Sequence, residues 1–171
     1  MYWKKTLKRV FFVRSAEQIP CPCCSGPLKV VGSRKRSCIN SLGDRITLVI
    51  RRLGCVTCSR IHHELPGLLV PYKRHIAESI EAAVGGEAAL SVAGDESTLR
   101  RWRSWFGKRV DYFHGCLISL ATRYLTASVE GPSTLSESAL HRIWQLVGDA
   151  PGWLARVVRP VVNAHLWIQT R

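Results

Sequence analysis

Two cysteine pairs constrain this chain more than any other feature: Cys21-Pro22-Cys23-Cys24 and Cys55-Val56-Thr57-Cys58. In each pair, two thiols three residues apart reach one ion from a single tight turn. Four thiolates close a tetrahedral Zn²⁺ site and leave no position for substrate, which makes such a site structural. The insert between the pairs is 30 residues, longer than the roughly 15–20 of the usual template. Added loop length costs little, about 0.6 kcal/mol of closure entropy per doubling. Cys21, Cys24, Cys55 and Cys58 therefore read as the ligands of a zinc ribbon. Cys23 is expected to point away from the ion, yet it is close enough in sequence to replace a neighbour. His62 and His63 are ligands by spacing and linker residues by context. Unmetallated thiols, and iron in the same geometry, are the competing readings. Rubredoxin-like iron proteins are small and acidic, and this chain is neither.

Charge narrows the partner. The 171 residues hold 25 Lys and Arg against 12 Asp and Glu, a formal net charge of +13. Residues 1–60 carry 13 basic side chains against only Glu17 and Asp44, whereas residues 61–130 balance at 8 of each sign. A basic ribbon implies a polyanion, with double-stranded DNA first and an anionic membrane surface second. No apolar run approaches the ~18 residues of a membrane span. Val10-Phe11-Phe12-Val13 is too short for a signal-peptide core. Paired cysteine spacing without a secretion signal favours metal over disulfides. A cytoplasmic, nucleoid-associated protein is the expectation.

In chain order, β-branched and aromatic residues predict a strand over 7–14, before the first knuckle. Gly26, two residues after Cys24, suits a positive φ in that knuckle. Residues 28–31, the basic run 33–38, a turn at 40–44 and a strand over 45–53 complete a small antiparallel ribbon. Ile46, Leu48 and Ile50 share one face of that strand, and Thr47, Val49 and Arg51 the other. Residues 62–71, punctuated by Pro and Gly, read as a linker.

Beyond the linker the period turns helical, with helices expected over 73–84 and 97–109 and a short one over 87–93 between them. Asp95 is a good N-cap for the second long helix, and Glu96 favours its dipole. Leu99, Trp102 and Phe106 form its apolar stripe. Ser97, Arg100, Arg101, Ser104 and Lys108 lie opposite, while Arg103 on the shoulder is expected to pack or pair internally. Helix, short helix, glycine turn and basic helix make the pattern of a helix-turn-helix. Further helices are expected over 112–128, 135–147 and 152–169, broken at 131–133 and kinked or split at Pro160.

Catalytic residues do not emerge. Two-metal phosphoryl transfer needs several convergent carboxylates, and after residue 109 only Asp111, Glu130, Glu137 and Asp149 remain. There is no Gly-rich phosphate loop and no Gly-x-Ser-x-Gly. The expectation is a binding protein without enzymatic activity and without a small-molecule substrate.

Cys-Pro-x-Cys-x-Gly at 21–26, the basic strand through Arg51-Arg52-Leu53-Gly54-Cys55-x-x-Cys58, and Glu64-Leu65-Pro66 together resemble the zinc-ribbon head of insertion-sequence transposases. Ser97-Thr98-Leu99-Arg100-Arg101-Trp102 resembles the recognition helix that follows in that family. The chain looks closest to short uncharacterised bacterial proteins that share this head. The resemblance spans about residues 19–107 and implies DNA binding without strand transfer, because the acidic RNase H-like domain of the full transposases is missing.

The fold class expected is α+β: a small antiparallel zinc ribbon (1–65), a helix-turn-helix (66–109) and a helical C-terminal region (110–171). That last region either completes the core or forms a homodimer. Arg34, Lys35, Arg36, Arg51 and Arg52 are assigned to phosphates, and Ser97, Arg100, Arg101 and Ser104 to the major groove, with Lys108 on the flanking backbone. The reading is a zinc-dependent DNA-binding protein, transposase-like or a transcriptional regulator. The alternative is a zinc-braced protein-interaction adaptor whose charge is solvation only.

Overall fold

A computed structural model describes residues 9–14, 18–86, 92, 94–124 and 138–168. The fold is α+β, with a small sheet followed, among the described residues, by five helices. Its central strand is β3 (Arg45–Cys55), which pairs along its whole length with antiparallel β2 (Leu28–Ile39). The turn between them is set by Asn40, whose side-chain oxygen accepts from the amides of Leu42 and Asp44. On the other edge of β3, β1 (Val10–Phe12) pairs with residues 47–49 and β4 (Ile61–His63) with residues 52–54.

Two expectations change here. The basic run 33–38 is the continuation of one 12-residue strand rather than a separate segment. And β1 runs parallel to β3, so the sheet is mixed rather than wholly antiparallel. A parallel pair needs a long crossover, and the knuckle plus the entire β2 strand supply it.

Alternation along β3 places Ile46, Leu48 and Ile50 on one face, as its period predicts. That face forms a small core with Cys38, Leu69 and Ile76. Residues 64–76, which span most of the expected linker (62–71) and the start of the helix expected over 73–84, are woven into this core. Leu69 is 1% exposed. The amides of Ile39 and Ile76 bond reciprocally across to Arg74 and Ile39 carbonyls, and His75 and Ile76 form bridges with Ile39 and Leu69. This pairing holds residues 75–76 extended, so the first helix, α1, begins only at Ala77 (Ala77–Gly85) instead of at 73.

Helix α2 (Glu96–Gly107) is capped by Asp95, whose carboxylate accepts from the Thr98 amide at 2.6 Å. The Thr98 hydroxyl, then that amide and the Ser97 hydroxyl, hold the Asp95 carboxyl below its usual range. Only a two-residue turn separates α2 from α3 (Val110–Tyr124). Helices α4 (Ala139–Val147) and α5 (Trp153–Asn163) close the bundle. Pro160 lies inside α5, which ends at Asn163, a turn later, so the proline shortens the helix without splitting it. The segments 87–91, 125–137 and 169–171 lie outside the described residues, and with them the short helix expected over 87–93 (save Val92) and the break at 131–133.

The larger core joins α1 to α5: Ile80, Leu99, Trp102, Phe106, Phe113, Ile143, Leu154, Val157 and Val161 are all buried in it. The apolar C-terminal stretch is therefore spent completing this chain's own core. Glu81, 8% exposed, caps α5 from a distance: its two carboxylate oxygens accept the Gly152 and Leu154 amides at 2.7 and 2.8 Å. A carboxylate at a helix N-terminus is favoured both by the orphan amides and by the dipole.

Candidate functional site

The β2–β3 hairpin explains the length of the insert between the cysteine pairs. Leu28 at the start of β2 pairs with Cys55 at the end of β3, so the open end of the hairpin carries both knuckles side by side. The knuckles are built alike. In each, the first cysteine's amide bonds a carbonyl five residues on (Cys21 to Gly26, Cys55 to Arg60), and its carbonyl accepts the amide four residues on (from Ser25 and Ser59). Ser25 and Ser59 hold the equivalent left-handed positions, at φ 58° and 56°.

The positive φ expected at Gly26 falls on Ser25 instead. Gly26 has a different reason to be glycine. A Cβ there would sit 2.3 Å from Thr57 Oγ1, 2.9 Å from Thr57 Cβ and 3.3 Å from Cys24 Sγ. The first knuckle touches the second at this point, and only hydrogen fits between them.

All four sulfurs, Cys21, Cys24, Cys55 and Cys58, lie within 4.8 Å of one another. Across the knuckles, Cys21 Sγ is 3.6 Å from Cys58 Sγ, and Cys24 Sγ is 3.4 Å from Cys55 Sγ. A tetrahedron of sulfurs at ~2.3 Å from an ion has edges of about 3.8 Å, and these separations are close to that. The donor set and spacing fit a metal ion in thiolate coordination.

Backbone amides organise the protons of the site. Burial raises the Cys21 thiol, but the amides of Cys23 and Cys24 outweigh it and the net shift is down. The Cys58 amide, helped by that of Thr57, pulls Cys55 down to about 6. The Gly26 amide favours a Cys24 thiolate, but the contact with Cys55 and desolvation push Cys24 up to about 12. Cys58 likewise receives the Arg60 amide and still ends raised, through desolvation and Cys55. Without metal, the first cysteine of each pair is thus shifted down and the second is shifted up.

Two side chains that spacing alone left unassigned, His62 and Cys23, gather beside the cluster. His62 Nε2 lies 3.3 Å from Cys21 Sγ, and burial, then His165 and Arg60, lower its pKa. Cys23 is exposed and accepts from Arg60 Nη1 at 3.4 Å. The pairing of His62 with Leu53 across β4–β3 is what brings it to the metal end. A cavity of about 650 Å³ opens next to it, walled by Ile19, Pro20, Leu28 and Val30 on the ribbon side and by Val162 of α5 and His165 just after it.

The basic residues divide into two groups. Arg34 and Lys35 are exposed on β2, and Arg52 is half-buried on β3. Burial, then Arg34 and Arg52, depress His63, which places the two guanidinium groups near that ring on adjacent strands. Two of the residues assigned to phosphate contacts are instead engaged inside the protein. Arg36 donates to the Val70 and Lys73 carbonyls at 3.2 and 3.1 Å and so ties β2 to the 64–76 segment. Arg51 makes a two-pronged bond to Glu64, its Nε 2.7 Å from Oε2, with the Glu64 side chain only 4% exposed. Planar guanidinium groups suit such fork contacts, and a buried Glu64 without one would be costly. Sequence spacing could not separate these two from their exposed neighbours.

On α2, Leu99, Trp102 and Phe106 are buried, and Ser97, Arg100, Arg101 and Ser104 are exposed, as the helical wheel requires; the helix ends at Gly107 rather than 109, so Lys108 is exposed in the turn that follows. Arg101 folds back on its own first turn, donating to the Ser97 carbonyl at 3.2 Å and to Thr98 Oγ1 at 2.9 Å. Arg103 donates to the Ala83 carbonyl on α1 at 2.9 Å, the internal contact expected of it. The helix is locked to the ribbon side through its aromatics: Trp102 meets the His75 ring edge-on at 4.7 Å, and the Lys73 ammonium sits 4.3 Å over Trp105. Ribbon and helix α2 are thereby held in one arrangement by the 64–76 segment.

No helix among the described residues is long and apolar enough to cross a membrane. No curated protein and no solved structure matches the chain. A family model described as a domain of unknown function (DUF6431) matches residues 21–102, from the first metal-cluster cysteine to the middle of α2 and just under half of the chain.

Proposed function

We propose that this chain is a zinc-dependent DNA-binding protein in which the ribbon grips phosphates and helix α2 enters the major groove. The observation that carries the reading is the exposed face of α2. Ser97, Arg100 and Ser104 project from a helix whose opposite side is buried and which is fastened to the basic, thiol-clustered sheet, with Lys108 exposed just past its end. Zinc is the ion of choice for four thiolates in a closed tetrahedron. Arg34, Lys35 and Arg52 supply salt-dependent affinity. Arg100 is the side chain placed to read guanine O6 and N7, and Arg101 must first release its own first turn before it joins. In this reading α1 and α2 are the two long helices of a helix-turn-helix, and the biological role is that of a transposon-related or regulatory DNA binder.

The test is selection of bound duplexes from a random pool, with metal content measured on the same protein. The wild-type chain should enrich a defined sequence, and Arg100→Ala should lose that preference while keeping salt-sensitive binding. Survival of the preference in Arg100→Ala would overturn the role given to α2. The adaptor reading draws on the exposed apolar side chains Phe12, Val30 and Val31, at 81%, 57% and 55%. It predicts no enrichment at all.

A further inference from the structure

Beside the four-cysteine cluster lies a second set of metal donors. The sulfurs of Cys21 and Cys23 and a ring nitrogen of His62 all fall within 4.8 Å of one another. The two sets share Cys21 and no other residue. Cys21 Sγ and His62 Nε2 are 3.3 Å apart. Sulfur at ~2.3 Å and nitrogen at ~2.0–2.1 Å from one tetrahedral ion would be about 3.5 Å apart, so the observed separation is close to that of co-ligands.

From this juxtaposition we propose that Cys21 is a bridging thiolate and that Cys21, Cys23 and His62 form a second site for a thiophilic divalent ion of the Zn²⁺ or Cd²⁺ class. Three features favour two ions over one ion that wanders. The first set already closes a tetrahedron, so no ligand must leave for the second to fill. Four thiolates on one dication leave a net negative charge, and a second dication offsets the thiolate that Cys23 adds. Arg60 already donates to Cys23 Sγ, the outer-shell support that metal-bound sulfur commonly receives. With three protein ligands the second site keeps an open position, so it binds solvent or a small ligand and holds its ion less tightly than the closed site.

This inference rests on the four-cysteine cluster holding a metal, and the test reports the two sites separately. The full reduced chain is loaded with excess ¹¹³Cd²⁺, freed of loose ion, and examined by ¹¹³Cd NMR and metal analysis; Zn²⁺ is counted in parallel. The expected result is about two equivalents per chain and two resonances, one in the tetrathiolate range and one shifted as two sulfurs and an imidazole nitrogen require. Cys23→Ser and His62→Phe should each drop the count to about one and leave the tetrathiolate resonance in place. A single equivalent in the wild-type chain would overturn the proposal. So would a second equivalent that persists in Cys23→Ser and His62→Phe, which would mark it as an adventitious ion only, or loss of the tetrathiolate resonance in Cys23→Ser, which would place Cys23 in the first site.

Discussion

The contact between the two knuckles can be tested by adding one methyl group. In Gly26→Ala the new Cβ would lie 2.3 Å from Thr57 Oγ1 and 2.9 Å from Thr57 Cβ, distances at which something must move. Rotating the Thr57 hydroxyl away relieves the first clash but not the second, because Cβ is fixed by the backbone. The knuckles must then part by several tenths of an ångström, and Cys24 Sγ, 3.3 Å from the same methyl, is displaced with them. Overpacking of this kind costs about 1–3 kcal/mol. Felt at the metal site, that is a roughly 5- to 150-fold loss of zinc affinity, at 1.4 kcal/mol per tenfold. Competition against a chromophoric chelator measures it directly. Thr57→Gly removes both clashing atoms while keeping the amide that donates to Cys55, so the Gly26→Ala/Thr57→Gly pair should regain most of the loss. Wild-type affinity in Gly26→Ala, or no recovery in the double variant, would refute the argument that knuckle contact fixes residue 26 as glycine.

The remaining predictions concern protons and the helical core. At pH 8, Cys55 is already ionised (pKa about 6) while Cys24 (about 12) and Cys58 (raised) keep their protons. Zinc loading should therefore release roughly two to three protons rather than four, read from calorimetry in buffers of different ionisation enthalpy. Glu81→Ala leaves the Gly152 and Leu154 amides without their acceptor and should lower stability by about 2–3 kcal/mol in chemical denaturation; a loss below ~0.5 kcal/mol would contradict the cap.

How much of this was legible from residues alone depended on whether the signal was local. The four cysteines, the Asp95 cap, the turn at 40–44 and the buried stripe of α2 each announce themselves within a few positions, and the structure places them where their spacing predicts. The features that resisted are long-range. That residues 75–76 stay extended rather than helical follows from Ile39, at the end of β2 far along the chain, and from Leu69. Nothing within 7–14 says that β1 will pair parallel to β3. Arg36 and Arg51 look the same in sequence as Arg34 and Arg52; only the carbonyls of Val70 and Lys73 and the carboxylate of Glu64 draw them inward. His62 could be flagged by its distance from Cys58, but its approach to Cys21 comes from β4–β3 pairing. Gly26 was singled out for φ, whereas packing against Thr57 is what excludes a side chain.

The central claim, that the ribbon is a metal-braced phosphate-binding platform, is tested most directly by the salt dependence of duplex affinity. Fluorescence anisotropy of a labelled duplex would be followed from about 50 to 300 mM salt for the zinc-loaded chain and for Arg34→Ala/Lys35→Ala/Arg52→Ala. The slope of log affinity against log salt should be steep for the first and shallower by about 2.7 for the second, at ~0.9 per phosphate contact removed. A slope unchanged by the triple substitution, or no binding at ~50 mM salt, would contradict it.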